Sequence, residues 1–208
     1  TLLVLNEAAR LGRDFPKEQR LILGLAALLH DLGKPSTTRR ENGRICAHGH
    51  EHAGIKPATA WFARHSFGEV VEQAVLDCVG KHMRPMQLVR EMDRGTMSPS
   101  QQVNALRRLM RDLQKVEWSV FLTLCEADQR GRALPVEEYR PAQVFGELLQ
   151  EHPVAAMAQV NLLRGRDLLA LGVPAGKEVG AWIERVERAR DEGEIVTSQE
   201  ALEWVRTR

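Results

Sequence analysis

Apolar residues recur along most of the chain at spacings of three and four, the period of helices buried along one face. Leu2, Leu5, Ala8 and Ala9 set that period at the start, and it stops before Gly12. Pro16 suits the first turn of a second helix, in which Lys17, Glu18 and Arg20 face water and residues 21–29 are almost wholly apolar. Such a helix is predicted to be buried on all sides and to stop at Gly33-Lys34-Pro35. Residues 36–49 are polar and contain glycine, which predicts a loop. Helices are predicted over 51–66 and 69–82, followed by irregular chain from Pro85 to Pro99. Ser98 reads as an N-cap with Pro99 in the first helical position, opening a helix that runs through Leu106, Leu109 and Leu113. The apolar stretch from Val116 to Ala127 leads to Asp128 and ends at Gly131. Shorter helices are predicted over 141–150, 164–171, 177–190 and 198–206.

No stretch alternates apolar and polar residues as a half-buried strand would. The expected fold is therefore all-α: a helical bundle over residues 1–150 with a small C-terminal helical appendage over 151–208, divided near His152-Pro153. Thr1 stands inside an apolar periodic segment with no cap before it, so further residues are expected upstream.

Composition narrows the class. Hydrophobic residues make up 43% of the 208 positions, enough for a substantial core, while aromatics are only 5%, which favours helices over sheet. The 29 Lys and Arg nearly balance the 28 Asp and Glu, so a general polyanion-binding surface is excluded and only local basic patches remain. The three cysteines are far apart and form no CxxC or zinc-knuckle spacing, which points to a reduced, cytoplasmic setting. The longest apolar run is too short to cross a bilayer, so no membrane partner is expected.

The chemistry concentrates where apolar helices end. His30 and Asp31 sit at the polar end of the most apolar helix, and imidazole with carboxylate suits Mn, Fe, Co, Ni or Zn rather than Ca. A structural pair would explain them equally well, His30 as a C-terminal helix cation and Asp31 as a cap for the next loop. The surroundings shift that balance. His48, His50, Glu51 and His52 cluster just beyond, His82 ends another helix, and Asp128 ends a third. Helical bundles build metal sites from such facing ends. Arg39, Arg40 and Arg44 flank the histidine cluster, Arg107, Arg108 and Arg111 share one helix, and Arg130 and Arg132 follow Asp128. They serve either solubility or a phosphate-tracking surface around the cleft. His48 and His52 read as solvated loop residues, and the four tryptophans as packing residues.

The segment LLHDLGKP resembles the HD superfamily of metal-dependent phosphohydrolases. The resemblance implies that His30, Asp31 and Asp128, the last within CEADQRGR, bind a divalent ion, with Mg possible beside the transition metals and one or two ions in the site. It places a further family histidine just before Thr1. A bound ion would polarise a phosphoryl oxygen and lower the pKa of water. His50 and His82 would bind a second ion or serve as general acids, while Lys34, Arg84 and Arg130 would steady phosphate charge. The blocks HDLGKP, GHEHAG, KHMRP and CEADQRGR, with the tail from GRDLLALG to ALEWV, are similar to the C-terminal portion of bacterial CCA-adding tRNA nucleotidyltransferases. No Gly-Ser motif followed by paired aspartates accompanies them, so nucleotide addition by these residues alone is not expected.

The resemblance implies phosphoester hydrolysis on nucleotides, 2′,3′-cyclic phosphates or RNA ends, with tRNA as a possible partner. The alternatives are a non-catalytic tRNA-binding module, or tail fragment of a nucleotidyltransferase-like protein, and a nucleotide sensor without turnover. Keeping His30, Asp31 and Asp128 together argues against a decayed remnant.

Overall fold

A computed structural model describes residues 1–113, 115–132, 138–152, 162–191, 194–195 and 197–208. The elements in chain order are α1 Leu2–Leu11, α2 Lys17–Leu29, α3 Lys34–Thr37, β1 Arg39–Glu41, β2 Arg44–Cys46, α4 His50–Ala53, α5 Ile55–Phe62, α6 Glu69–Lys81 and α7 Arg84–Asp93. They continue with α8 Pro99–Asp112, α9 Trp118–Arg130, α10 Arg140–Glu151, α11 Gly165–Ala170, α12 Lys177–Asp191 and α13 Ser198–Arg206. The fold is mostly helical, as the periodicity predicts, with one two-stranded sheet among the described residues.

That sheet corrects the loop expected over 36–49. β1 and β2 pair antiparallel, with Arg39 opposite Cys46, Arg40 opposite Ile45 and Glu41 opposite Arg44. Asn42 and Gly43 join them with φ of 50° and 77°. Two consecutive left-handed residues make the tight turn whose twist matches a hairpin, and Asn-Gly is its strongest short-range signal. A second correction concerns residues 85–99, where α7 replaces the expected irregular chain. Proline is tolerated in a first helical turn, as at Pro85, and Leu88, Val89 and Met92 then fall on one buried side. A third concerns the helix expected over 51–66, which is two pieces, α4 and α5, meeting at Gly54 and ending at Phe62.

The chain forms two compact units: Thr1–Glu91 with Asp112–Phe145, and Met92–Arg111 with Gly146–Arg208. These are not consecutive halves of the sequence, since most of α8 is grouped with the C-terminal helices. Pro153, at the expected boundary, lies outside the described residues.

In the first unit α2 packs on α1, α6 and α9, and α1 also packs on α9. Val75, Val79, Phe121 and Leu124 are fully excluded from water there. Each such side chain contributes roughly 1.5–3 kcal/mol of burial free energy. α2 is not buried on every side, because Leu21 and Leu28 remain 41% and 39% exposed on its outer face. In the second unit Leu163, Leu168, Val186, Ala189, Ile195, Ala201 and Val205 form a separate core. The capping of α8 follows the sequence: the Gln101 amide donates to Ser98 Oγ at 3.3 Å, and the Ser98 amide donates to Gln101 Oε1 at 2.8 Å. All three cysteines are free thiols. Among the described residues no helix is long and apolar enough to cross a membrane.

Candidate metal centre

The site is built where helices of the first unit end. His30 is the C-cap of α2, His82 is the C-cap of α6, and Asp128 lies in the last turn of α9 before Gly131. Helix C-termini carry partial negative charge, so three of them favour a cation at their meeting point. His50 opens α4. Each of the three histidines donates its Nδ1–H to the carbonyl three residues earlier: His30 to Ala27 at 2.9 Å, His50 to Ala47 at 2.7 Å and His82 to Val79 at 2.9 Å. A carbonyl oxygen only accepts, so Nδ1 carries the proton in all three rings, and in each neutral ring Nε2 presents a lone pair.

Those Nε2 atoms and two carboxylates crowd one buried place. His30 Nε2 lies 3.2 Å from Asp31 Oδ2 and 3.4 Å from Asp128 Oδ1. His50 Nε2 lies 3.4 Å from Asp31 Oδ1 and 3.1 Å from His82 Nε2. Ligand atoms of Asp31, His50 and His82 all fall within 4.8 Å of one another. His30, His50, His82 and Asp128 are buried. His30 Nε2 and Asp31 Oδ1 make no hydrogen bond at all among the described residues. Two facing lone pairs at 3.1 Å and two orphaned buried polar atoms are costly unless a proton or a cation lies between them. The donor set of imidazole nitrogens and carboxylate oxygens fits a divalent transition ion, and the tautomers are already set for it.

Charges around the donors complete the picture. Lys34 Nζ pairs with Asp31 Oδ2 at 2.6 Å, and Arg132 pairs with Asp128 Oδ2 at 2.7 Å. Glu51 Oε2 lies 3.6 Å from His50 Nδ1. Burial opposes charging of His30, but the facing carboxylates of Asp128 and Asp31 outweigh it and hold its pKa up at about 9. Burial also works against ionisation of Asp31 and Asp128, yet His30, with Lys34 on one and Arg132 on the other, holds both well below the usual carboxylate range. Burial, reinforced by the neighbouring His30, pushes His82 down to about 4. A cleft of about 340 Å³ opens beside His82 and Asp128, with Arg132, Arg90, Gln87, Gln129, Met83, Met86 and Tyr139 in its walls.

Residues 1–116, more than half the chain, match the HD domain. The chain belongs to the HD-domain family. HD domains are metal-dependent, which agrees with the donor set just described. The chain is 30% identical over 177 residues to the multifunctional CCA protein of Xanthomonas axonopodis pv. citri, covering 83% of this chain and 39% of that protein. It is 29% identical over 191 residues to the CC-adding tRNA nucleotidyltransferase of Thermus thermophilus, covering 90% and 39%. It is 30% identical over 193 residues to the A-adding tRNA nucleotidyltransferase of Deinococcus radiodurans, covering 89% and 41%. The chain thus spans about two fifths of the length of these curated relatives. No solved structure matches.

Of the residues singled out in the sequence, the HD fold brings His30, Asp31, Lys34, His50, His82 and Asp128 into one cluster. Arg84 and Arg130 stand differently. Arg84 grips Glu91 through two hydrogen bonds at 2.8 and 3.3 Å, and Arg130 donates to Glu126 at 2.7 Å. The guanidinium groups that line the cleft belong to Arg132 and Arg90. Helical spacing explains the difference: Arg132 is four residues from Asp128 and shares its face, whereas Arg130 is four residues from Glu126. Arg90 and Tyr139 carried no signal in the sequence. His48 and His52 are exposed and outside the cluster, although His48 lies 3.9 Å from Glu41 on the hairpin. Ligand atoms of Glu41, Cys46 and His48 come within 4.8 Å of one another there.

Proposed function

We propose that the chain is a metal-dependent phosphohydrolase acting on nucleotides, 2′,3′-cyclic phosphates or RNA ends. One observation carries this reading. Three imidazole Nε2 atoms and two carboxylates converge in a buried cluster in which His30 Nε2 and Asp31 Oδ1 lie near opposite charges without a well-formed hydrogen bond.

His30, Asp31 and Asp128 would hold a divalent ion: Mn, Fe, Co, Ni, Zn or Mg. Asp31 faces His30 with one oxygen and His50 with the other, so Asp31, His50 and His82 offer room for a second ion. Bound there, such an ion supplies Lewis-acid polarisation of a phosphoryl oxygen and acidifies water. The side chains do the rest. Lys34 and Arg132 already offset the charges of Asp31 and Asp128, so the positive charge of an ion would face the substrate. Arg132, with Arg90 at the cleft wall, would take phosphate oxygens as forked donors. Lys34, 45% exposed at its side chain, would add a point charge from the other side. His82, held neutral by burial, suits ligation better than proton donation.

The RNA-end reading draws on the relatives, which are named for tRNA nucleotide addition. Unpaired thiols fit a cytoplasmic setting. The test is metal titration of the purified protein, followed by hydrolysis of 2′,3′-cyclic AMP and bis(p-nitrophenyl) phosphate with Mn, Co or Ni. Saturable uptake of one or two ions, with turnover that Asp31→Asn abolishes, is the expected result. No uptake and no turnover would leave the non-catalytic tRNA-binding module as the better reading.

A further inference from the structure

The metal cluster and its cleft use none of the β1–β2 hairpin, yet both feet of that hairpin stand on the cluster. On one side, Lys34 binds Asp31 and begins α3, and Thr38, which leads into β1, donates its hydroxyl to the Lys34 carbonyl at 2.7 Å. On the other, the carbonyl of Ala47, directly after β2, accepts the Nδ1 proton of His50 at 2.7 Å. The hairpin therefore projects from between two of the donor residues.

Its surface is cationic. Arg39, Arg40 and Arg44 are all exposed, and among the described residues none of them pairs with a carboxylate. Glu41 is the one acidic residue of the two strands and faces His48 instead. Register puts Arg39, Glu41, Arg44 and Cys46 on one face, and Arg40 with Ile45 on the other. Guanidinium groups beside Glu41, Cys46 and His48 make that group a poor cation site, although its ligand atoms lie close together. They make the hairpin a good anion site. Ile45, 75% exposed, adds an apolar surface of the kind a base or ribose covers. A strand rises about 3.3 Å per residue, so Arg44 stands roughly 10 Å along the chain from the His50 contact at Ala47. The arginines are therefore displaced along the hairpin from the donor residues, where they would meet phosphates neighbouring the one at the metal centre.

We infer that the hairpin Arg39–Cys46 grips the sugar–phosphate backbone of single-stranded RNA just upstream of the end delivered to the metal centre, so that the preferred substrate is the end of an RNA chain rather than a free nucleotide. This rests on the phosphohydrolase reading for the word substrate, but the binding claim stands by itself. Contact through phosphates implies tolerance of sequence and strong dependence on salt.

The test uses the whole chain and the triple variant Arg39→Ala/Arg40→Ala/Arg44→Ala. Binding of a fluorescein-labelled single-stranded RNA oligomer is measured by anisotropy across a salt series, and hydrolysis is measured on bis(p-nitrophenyl) phosphate. The variant is expected to lose at least tenfold in RNA affinity. Its log–log salt slope should be shallower by about 1.4, from roughly 0.7 for each of the two contacts on one face, Arg39 and Arg44, and by up to about 2 if Arg40 reaches round to the same strand. Its kcat/KM on the small diester should equal that of the wild type, which also reports an intact fold. The corresponding triple lysine variant should recover most of the affinity. Equal RNA affinity and slope in wild type and variant would overturn the inference, as would a wild type that binds no RNA. A wild type that binds RNA through these arginines but cleaves neither RNA nor the diester would sink the phosphohydrolase reading and leave the binding surface standing.

Discussion

Gly33→Ala is the perturbation that most directly tests how the site is held. A Cβ on Gly33 would lie 2.6 Å from the Gly54 amide nitrogen and 2.9 Å from the His50 carbonyl carbon, and would collide with the His50 carbonyl oxygen. These are backbone atoms, so no side chain can swing aside. Gly54 is close but less tight, its own Cβ position lying 3.1 Å from the His50 carbonyl oxygen and 3.3 Å from the Gly33 nitrogen. The turn after α2 and the start of α4 approach so closely because both positions lack a side chain. Relief requires His50 to move by about 1 Å, and overpacking of this kind costs about 1–3 kcal/mol. A chain of this size loses about 2–4 °C in Tm per kcal/mol, which scanning fluorimetry resolves easily. His50 Nε2 would leave its place 3.4 Å from Asp31 and 3.1 Å from His82. A displacement near 1 Å in a catalytic constellation costs about 100-fold in rate, so kcat/KM on bis(p-nitrophenyl) phosphate should fall by that order. The ion-dependent rise in Tm should shrink with it. A Gly33→Ala protein with unchanged Tm and full activity would refute the packing argument. Lost stability with undiminished metal-induced stabilisation would show that Gly33 does not set the position of His50.

Four further outcomes are expected. Arg132→Ala should lower kcat/KM on a phosphate substrate by about 10–100-fold while leaving ion stoichiometry unchanged, because it removes a forked donor and not a ligand; Arg130→Ala, whose partner is Glu126, should do so by less than threefold in the same assay. Metal loading at pH 7.5 should release about one proton for the ion that His30 holds, in calorimetry run in buffers of different ionisation enthalpy, since His30 has its pKa raised to about 9. The sign follows for stability too: the metal-free protein holds the His30 contribution in full below pH 6.5 and loses it as pH rises through 9, so its Tm should fall over that interval and the fall should be smaller with the ion bound. Phe121→Ala, at a fully buried position on α9, should cost about 3–5 kcal/mol by chemical denaturation, and a loss under 1 kcal/mol would contradict the assigned core.

Helical periodicity made most of the fold legible, because amphipathic spacing and caps act over a few residues. Ser98 with Gln101 and Thr197 with Glu200 close capping boxes where α8 and α13 begin. The failures are also local. Pro85 suggests a break only if its place in a first turn is overlooked, and Asn42-Gly43 announces a hairpin even between strands of three residues. The grouping of α8 with the C-terminal helices had no such signal, since an apolar face does not name its partner. At the site, the residue types at helix ends pointed to His30, Asp31, His50, His82 and Asp128. Nearness in sequence points to Arg84 and Arg130, and a helix does not respect such nearness. Arg84 reaches Glu91, seven residues on and two turns along the same face, and Arg132 rather than Arg130 shares a face with Asp128.

The site's most economical feature is that one bond does two jobs. The last carbonyls of a helix lack intrahelical donors and need partners from elsewhere. His30 and His82, placed at the ends of α2 and α6, supply them through Nδ1, bonding to Ala27 and Val79. That bond fixes the tautomer, and a fixed tautomer aims the Nε2 lone pair past the helix end. His50 obtains the same result from the Ala47 carbonyl outside any helix. His30 still has helical dihedrals, φ −54° and ψ −33°, and Asp31 opens the turn that follows. His30 and Asp31 stand at the very end of α2, where their side chains come within 3.2 Å of each other and neither is covered by a further helical turn. Capping, tautomer and the direction of the imidazole lone pair thus come from where the helix ends.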